Sequence, residues 1–417
     1  MSDRKFIIPS FGPFAGMRVI GAGSLISMPF ALSMLAEFGA EVIQIERPGT
    51  GDTYRTFGAL TSAPDGSPIG AAWIQEARNR LSLTLELGRA ESHEIFLDLI
   101  GCSDIFVENL VWLQKLGIDD AELLRVNPRL VIVHISGFGH EEFGGIPEIC
   151  DQASYDMVGQ SFSGYAMGNG WPDRPPLLTA PAVSDYVTAL FALFGMLAAL
   201  HEAQQTGRGQ VVDIAQYEAQ AKIMREAFTR CTLGLGEVQR SGNRSSSAQP
   251  WDVFSSRDGK YISCGAVGPV VYSRFLRAIG LDENDYPYWE AAGTSEAINS
   301  TRGVALDLEI RRWFEERDAE EAERIMREAR VPCAQVNSAA ECLQNPHFHA
   351  RGDFISYTDE TLGREVEAFG VFPKLSRTPG MVWRGAPTLG QDTDDILRHI
   401  LGRDDETIRR LHESGIV

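Results

Sequence analysis

The sequence predicts an α/β fold, with helices on both faces of a largely parallel sheet and a second, smaller domain beside it. Three observations carry this expectation. Short apolar runs alternate with helical patterns between Met17 and His140, and several of those runs end in glycines. The stretch 271–330 then turns mostly helical and charged. Alternating β and α units imply parallel strands, because a helix is what returns the chain for the next one.

The elements follow in order. MRVIGAG is a strand closing on Gly21 and Gly23, MPFALSMLAEFGA has helical spacing with Gly39 placed to stop it, and EVIQIE is a second strand. RLSLTLEL (80–87) alternates like a strand, SHEIFLDLIGCSDIFVEN (92–109) reads as helix then strand, and RLVIVHISGFG (129–139) is a buried strand. The apolar run from Val187 to Leu200 reads as a buried helix, shorter than the ~20 residues a membrane crossing needs. TGRGQVVDIAQYEAQAKIMREAF (206–228) passes from a turn through a strand into a helix. RSGNRSSSAQPW (240–251) is a polar loop, and Asp258-Gly259 marks a hairpin within DVFSSRDGKYISCGAV (252–267). VPCAQVNS (331–338) reads as a strand re-entering the first domain, and 394–417 as two short surface helices. The expected division is therefore 1–225 as a large domain, 226–330 as a small one, and 331–417 as a return to the large domain.

Composition narrows the function. With 417 residues, 44% hydrophobic and 23% charged, the chain can bury two cores. Its 38 basic and 57 acidic residues leave a net charge of −19, which argues against nucleic acid or an anionic membrane surface as partner. A single anionic ligand gripped by local Arg and Lys stays open. Cys102, Cys150, Cys231, Cys264, Cys333 and Cys342 show neither CxxC pairing nor metal-ligand spacing, so free thiols, a reducing compartment and no metal are expected. MSDRKFIIPSFGPFAG lacks the pattern of a signal peptide, and a cytoplasmic location is expected.

Two stretches admit two readings each. RVIGAGSLIS…IER imitates a dinucleotide-binding turn ending in the acidic Glu46, but Ile26 stands where the third glycine belongs. Arg47 beside Glu46 also suits a ligand with a free phosphate better than a bare ribose diol, so a plain βαβ unit is preferred. In TAPAVSDYVTALFALFGMLAAL (179–200) the only charged residue is Asp185. It is either a helix cap, the commoner use, or a nucleophile at a pocket mouth.

Taken together, GMRVI…PFALSMLAEFGAEVIQIERPGTGDTYR, ARNRLSLTLEL, DIFVENL, NPRLVIVHISGFG, QSFSGYAMGNG, SDYVTALFALFGMLAALHEAQQTGRGQVVDIAQYEA and GAPTLGQDTDDIL form one ordered pattern. In this the chain resembles the class III (formyl-CoA and carnitine type) CoA-transferases over nearly its whole length. FSGY…NG and PGMVWRGAPTLGQDT are most similar to the carnitine branch, with benzylsuccinate-type and other dicarboxylate enzymes still open. The resemblance implies a Rossmann-like large domain built from both chain ends, a smaller α+β domain, and two copies interlocked as linked rings.

It further implies coenzyme A thioesters and carboxylic acids as substrates, and a homodimer or a heterodimer with a related subunit. Asp185 takes the place of the family's nucleophile, forming an aspartyl anhydride and then an aspartyl-CoA thioester, which reverses the balance against the cap. Leu25, Ile26 and Ser27 fall where the first βα turn meets the pantetheine arm, Ile26 replacing a Gln of formyl-CoA transferases. Arg47, Arg80, Asn109 and Lys115 match CoA contacts, and Gly137 and Gly139 let CoA approach. SSSAQP (245–250) falls where the formyl-CoA type has a glycine-rich flap. In the related racemases a His base is needed where this chain has Cys150 beside Asp151, so racemisation is the weaker reading, as is a CoA-binding supporting subunit. Tyr54, Trp73 and His140 are candidates for contacts to the acid.

Overall fold

The computed structural model describes residues 4–110 and 113–417. The chain divides into two compact units, one of residues 1–165, 179–225 and 347–417, the other of 166–178 and 226–346.

The large unit is built on six parallel strands. These are β1 (Arg18–Ala22), β2 (Glu41–Glu46), β3 (Leu81–Thr84), β4 (Ile105–Glu108), β5 (Val131–Ser136) and β6 (Gln210–Ala215). They lie in the order β3-β2-β1-β4-β5-β6. That is the doubly wound order, whose direction reverses between β1 and β4; ligands of such sheets bind beyond the strand ends at the reversal. Alternate side chains point to opposite faces. Ile20, Ile43, Phe106 and Ile132 enter one core, and Val19, Val42, Val107, Val131 and Val133 enter the other. Strands covered on both faces read as continuous apolar runs, which is what these sequences show.

Helix α1 (Ser27–Glu37) packs on helix α2 (Val183–Thr206), which also covers β5 and β6. Helix α2 is longer than the Val187–Leu200 run: its 24 residues are long and apolar enough to cross a membrane by length and composition alone. Its packed side is small, comprising Ser184, Thr188, Ala189, Ala192, Met196, Ala199 and Ala203, so the helix lies close on the sheet. Leu190 and Phe194 stand on its outer side, Phe194 at 72% exposure.

The C-terminal tail forms helices at the surface, as expected, with one apolar side turned inward. Ile396, Leu397, Ile408, Ile416 and Val417 are all buried in the first core. The tail also seals the sheet edge: Ser82 N–H donates to Asp392 Oδ2 (2.8 Å), and Thr84 N–H to Thr393 Oγ1 (3.0 Å). An edge strand so covered offers no template for pairing with another chain.

The small unit carries a three-stranded antiparallel sheet of β7 (Trp251–Ser255), β8 (Tyr261–Gly265) and β9 (Cys333–Gln335), in the order β9-β8-β7. Gly259, at φ +75°, makes the turn expected between the first two. The strand expected to re-enter the large domain at 331–338 does not do so. Val331 is buried in the small core and Gly265 N–H bonds Pro332 O (3.1 Å), so Cys333 pairs with Cys264 along the open side of β8. The return to the large unit begins at His347 rather than at 331. The loop 245–250 is anchored within the small unit by Gln249, whose amide donates to Ala291 O (2.6 Å) and Gly303 O (2.8 Å).

Candidate active site

The turn after β1 lies at the sheet's reversal point and is held from two sides. Asn109, following β4, accepts from Ser24 N–H (3.0 Å) and donates back to Ser24 O (2.9 Å). A Cβ on Gly23 would fall 1.8 Å from that Asn109 Oδ1, so only glycine fits there. Asp52 accepts from Leu25 N–H (3.0 Å), holding Leu25 at φ +69°, a left-handed conformation that costs a branched residue about 1–2 kcal/mol. The turn delivers Ser27 to the start of α1.

Ser27 Oγ donates to Asp185 Oδ1 at 2.7 Å. From the end of β6, Gln216 Nε2 donates to the same oxygen at 2.6 Å. Gln216 is itself fixed, because its Oε1 accepts from Ser154 Oγ (2.7 Å). Gly137 has its own reason here: a Cβ would meet Ser154 Cβ at 2.3 Å. Both bonds to Asp185 thus fall on Oδ1, and among the described residues Oδ2 accepts none. The helix-cap reading fails on the same observation, since Asp185 bonds side chains of other elements. The backbone N–H of Ser184 is satisfied instead by Asp156 Oδ1 (2.8 Å).

Asp185 is partly buried, and this desolvation pushes its carboxyl up to about 6. Ser27's hydrogen bond opposes the rise, the negative charge of Asp156 adds to it, and Gln216 opposes it. A carboxylate of that kind is ionised at neutral pH yet incompletely solvated, which suits a nucleophile.

Sequence reasoning missed Asp156, Gln216 and a neighbouring triad. Tyr186, next to Asp185, donates from its hydroxyl to Glu76 Oε1 (2.7 Å), and Tyr54 donates to Glu76 Oε2 (3.1 Å). Burial raises Glu76 as well. The signal available for Gln216 was its place directly after a strand end, where parallel sheets carry their chemistry.

Other expected residues fall as follows. Ile26 and Leu25 are half-buried at the turn, and Arg47 is 71% exposed and pairs with Glu86 (3.0 Å). Lys115 lies exposed on the turn Leu113–Leu116. Arg80 is corrected as a ligand contact: it is 1% exposed, and its guanidinium bonds Gln44 Oε1 (2.6 Å) and Glu76 O (3.1 Å) over the Trp73 ring. Trp73 and Tyr54 are corrected likewise as contacts to an acid. Trp73 is buried beneath Arg55 and Arg80, and Tyr54 is 2% exposed. Cys150 packs where a Gly145 Cβ would lie 2.2 Å from its sulfur, among Asp213, Glu141 and Glu142. The acid near Asp185 is Asp156.

The dinucleotide reading also meets a physical obstacle. Glu46 is 4% exposed and takes bonds from Arg55, Ser82 Oγ (2.6 Å) and Asp52 N–H (2.9 Å), leaving nothing for a ribose diol.

A nucleophile-like carboxylate against the first βα turn of a doubly wound sheet agrees with the comparisons. The model of CoA-transferase family III matches residues 14–393. The chain belongs to that family. It is 34% identical to the bile acid CoA-transferase BaiK of Clostridium scindens, across 98% of this chain and 90% of that one. It is 35% identical to the succinyl-CoA–L-malate CoA-transferase alpha subunit of Chloroflexus aurantiacus (97% and 92%). To the L-carnitine CoA-transferase of Proteus mirabilis it is 32% identical (98% and 97%). Among solved structures, a CAIB/BAIF family protein from Brucella suis superposes with a TM-score of 0.79 at 23% identity, covering 94% of this chain and 100% of that one. This family III CoA-transferase is thus an enzyme that handles CoA thioesters.

Proposed function

We propose that the enzyme moves CoA between two carboxylic acids with Asp185 as covalent carrier, and that unbonded Oδ2 is the observation that carries this reading. Oδ2 attacks the donor thioester carbonyl, the C–S bond breaks, and an aspartyl–acyl anhydride and CoA thiolate result. The thiolate then attacks the Asp185 carbonyl carbon, freeing the donor acid and leaving an aspartyl-CoA thioester. The acceptor carboxylate displaces that thiolate to make a second anhydride. Finally the thiolate attacks the acceptor's acyl carbon, and Asp185 is regenerated. Each attack on the Asp185 carbonyl carbon, by the thiolate and then by the acceptor carboxylate, puts negative charge on Oδ1, where Ser27 and Gln216 already donate (2.7 and 2.6 Å). The two donors act as a prebuilt oxyanion hole.

Leu25, Ile26, Ser27 and Gly137 border the thiol end of CoA. Asn109 holds the turn, while Arg47 and Lys115 offer cations to its phosphates. For the acids, Trp73 and Tyr54 are covered, so neither supplies an open aromatic face for a quaternary ammonium. The chemistry named for the malate relatives supports a dicarboxylate acceptor with succinyl-CoA as donor. The exposed Leu190 and Phe194, with Met157 and Phe162, support assembly with a second copy or a related subunit.

The test is a donor–acceptor screen on the purified chain alone, following CoA esters by mass spectrometry. Succinyl-CoA with hydroxylated or benzyl-substituted dicarboxylates should give new thioesters. Turnover only with butyrobetainyl-CoA would reverse the substrate assignment. No turnover without an added related chain would favour the supporting-subunit reading, to which the alpha and beta subunits among the relatives lend weight.

A further inference from the structure

Linear spacing gave no sign of a metal site, yet folding gathers one from distant positions of the large unit. Glu108 ends β4, His134 lies in β5, and His140 follows β5. One donor atom from each lies within 4.8 Å of the others. The two imidazole rings stand 5.0 Å apart between centroids.

Each histidine is oriented by its own carboxylate. Asp213 in β6 accepts from His140 Nδ1 (2.6 Å), and its other oxygen takes the His140 backbone N–H (3.2 Å). That fixes the ring and leaves Nε2 as the lone-pair nitrogen. Asp120 bonds His134 Nε2 (2.9 Å), which leaves Nδ1 facing Glu108 Oε1 (2.7 Å). A carboxylate behind each imidazole is the arrangement that sets ring tautomer at metal centres. The convergent set is two imidazole nitrogens and one carboxylate oxygen.

We propose that Glu108, His134 and His140 bind one divalent transition ion of the zinc class, with Asp120 and Asp213 as the supporting carboxylates. Nitrogen and carboxylate donors about 2.1 Å from a tetrahedral ion stand about 3.4 Å from one another, so the widest separation closes by about 1.4 Å at most while the 2.7 Å Glu108–His134 pair opens by about 0.7 Å. The ion replaces the proton now shared between His134 Nδ1 and Glu108 Oε1. Mixed nitrogen and oxygen donors suit zinc or cobalt(II) and disfavour magnesium or calcium, which prefer oxygen alone. Three protein ligands leave the fourth position to water.

The test uses chelator-stripped full-length enzyme titrated with ZnCl2, and separately with CoCl2. One equivalent should bind, with a cobalt(II) d–d absorption of a low-coordinate site. X-ray absorption of the zinc-loaded wild-type protein should show imidazole nitrogen and oxygen neighbours. His140→Ala should lower affinity at least 100-fold, and Asp213→Asn by about 10–100-fold. His412→Ala, a surface histidine paired with Asp394, should leave binding unchanged. Absence of stoichiometric binding, sulfur neighbours in the spectrum, or full affinity in folded His140→Ala enzyme would each overturn the site. The wild-type spectrum decides the matter even if a variant fails to fold.

Discussion

Two carboxylates of the large unit, Glu46 at the end of β2 and Asp185 in the first turn of α2, have opposite settings. Glu46 is buried and fully engaged: burial alone would raise it, but the bonds and charge of Arg55, with Ser82 and the Asp52 N–H, hold it below its ordinary range. Asp185 is only partly buried, has both its donors on one oxygen, and is pushed up to about 6. A carboxylate whose oxygens are all occupied fixes the fold; one with an oxygen left over can react. The two differ in depth, and above all in how many of their oxygens are taken.

The largest effect that sharpens this contrast is the loss of Asp185. Asp185→Asn should reduce transfer by roughly ten-thousand-fold or more, as nucleophile removal does elsewhere. Stability should move the other way. The unfolded carboxyl ionises near 3.8 and the folded one at about 6, so ionising it costs stability as pH rises between these values. The variant should therefore melt higher than wild type at about pH 8 and lose that advantage at about pH 3. A lower melting temperature at both would break the comparison. The same shift implies that wild-type kcat/KM falls as pH drops through about 6.

Next comes the engaged carboxylate. Arg55→Met leaves Glu46 charged, buried and uncompensated, and should cost about 3–5 kcal/mol in denaturant unfolding. A cost below about 1 kcal/mol would mean that Glu46 is as loosely held as Asp185.

Smaller effects separate the two donors on Oδ1. Gln216→Leu should cut kcat by about 10²–10³-fold, as loss of one oxyanion donor does. It should also move the acidic limb of the pH profile upward, because a group favouring the ionised form is gone. A change in KM alone would assign Gln216 to substrate binding. Smallest of all, Arg47→Ala should raise KM for the CoA ester about tenfold with kcat and melting temperature nearly unchanged, consistent with a residue 71% exposed.

Much of the fold was legible because parallel strands buried on both faces leave long apolar runs, and the glycines at their ends mark the turns. What was not legible came from tertiary partners. The strand at 333–335 has the apolar look of a sheet strand, but nothing local says which sheet it joins. Ile408 reads as surface because charged neighbours flank it, yet with Ile416 and Val417 it closes a core. The position of Asp185 was legible through the family pattern. Its partners Gln216 and Asp156 were not, since 31 and 29 residues of chain separate them from it. Arg80 shows the reverse error: an arginine opening a strand suggests a phosphate contact, until the fold places it beneath Glu76 and Gln44.

The account stands or falls on an acyl bond to one side chain. During turnover with succinyl-CoA, hydroxylamine or borohydride should trap the enzyme, and peptide mass spectrometry should place the modification on Asp185 and nowhere else. An unmodified Asp185 peptide in enzyme that is demonstrably transferring CoA would contradict it.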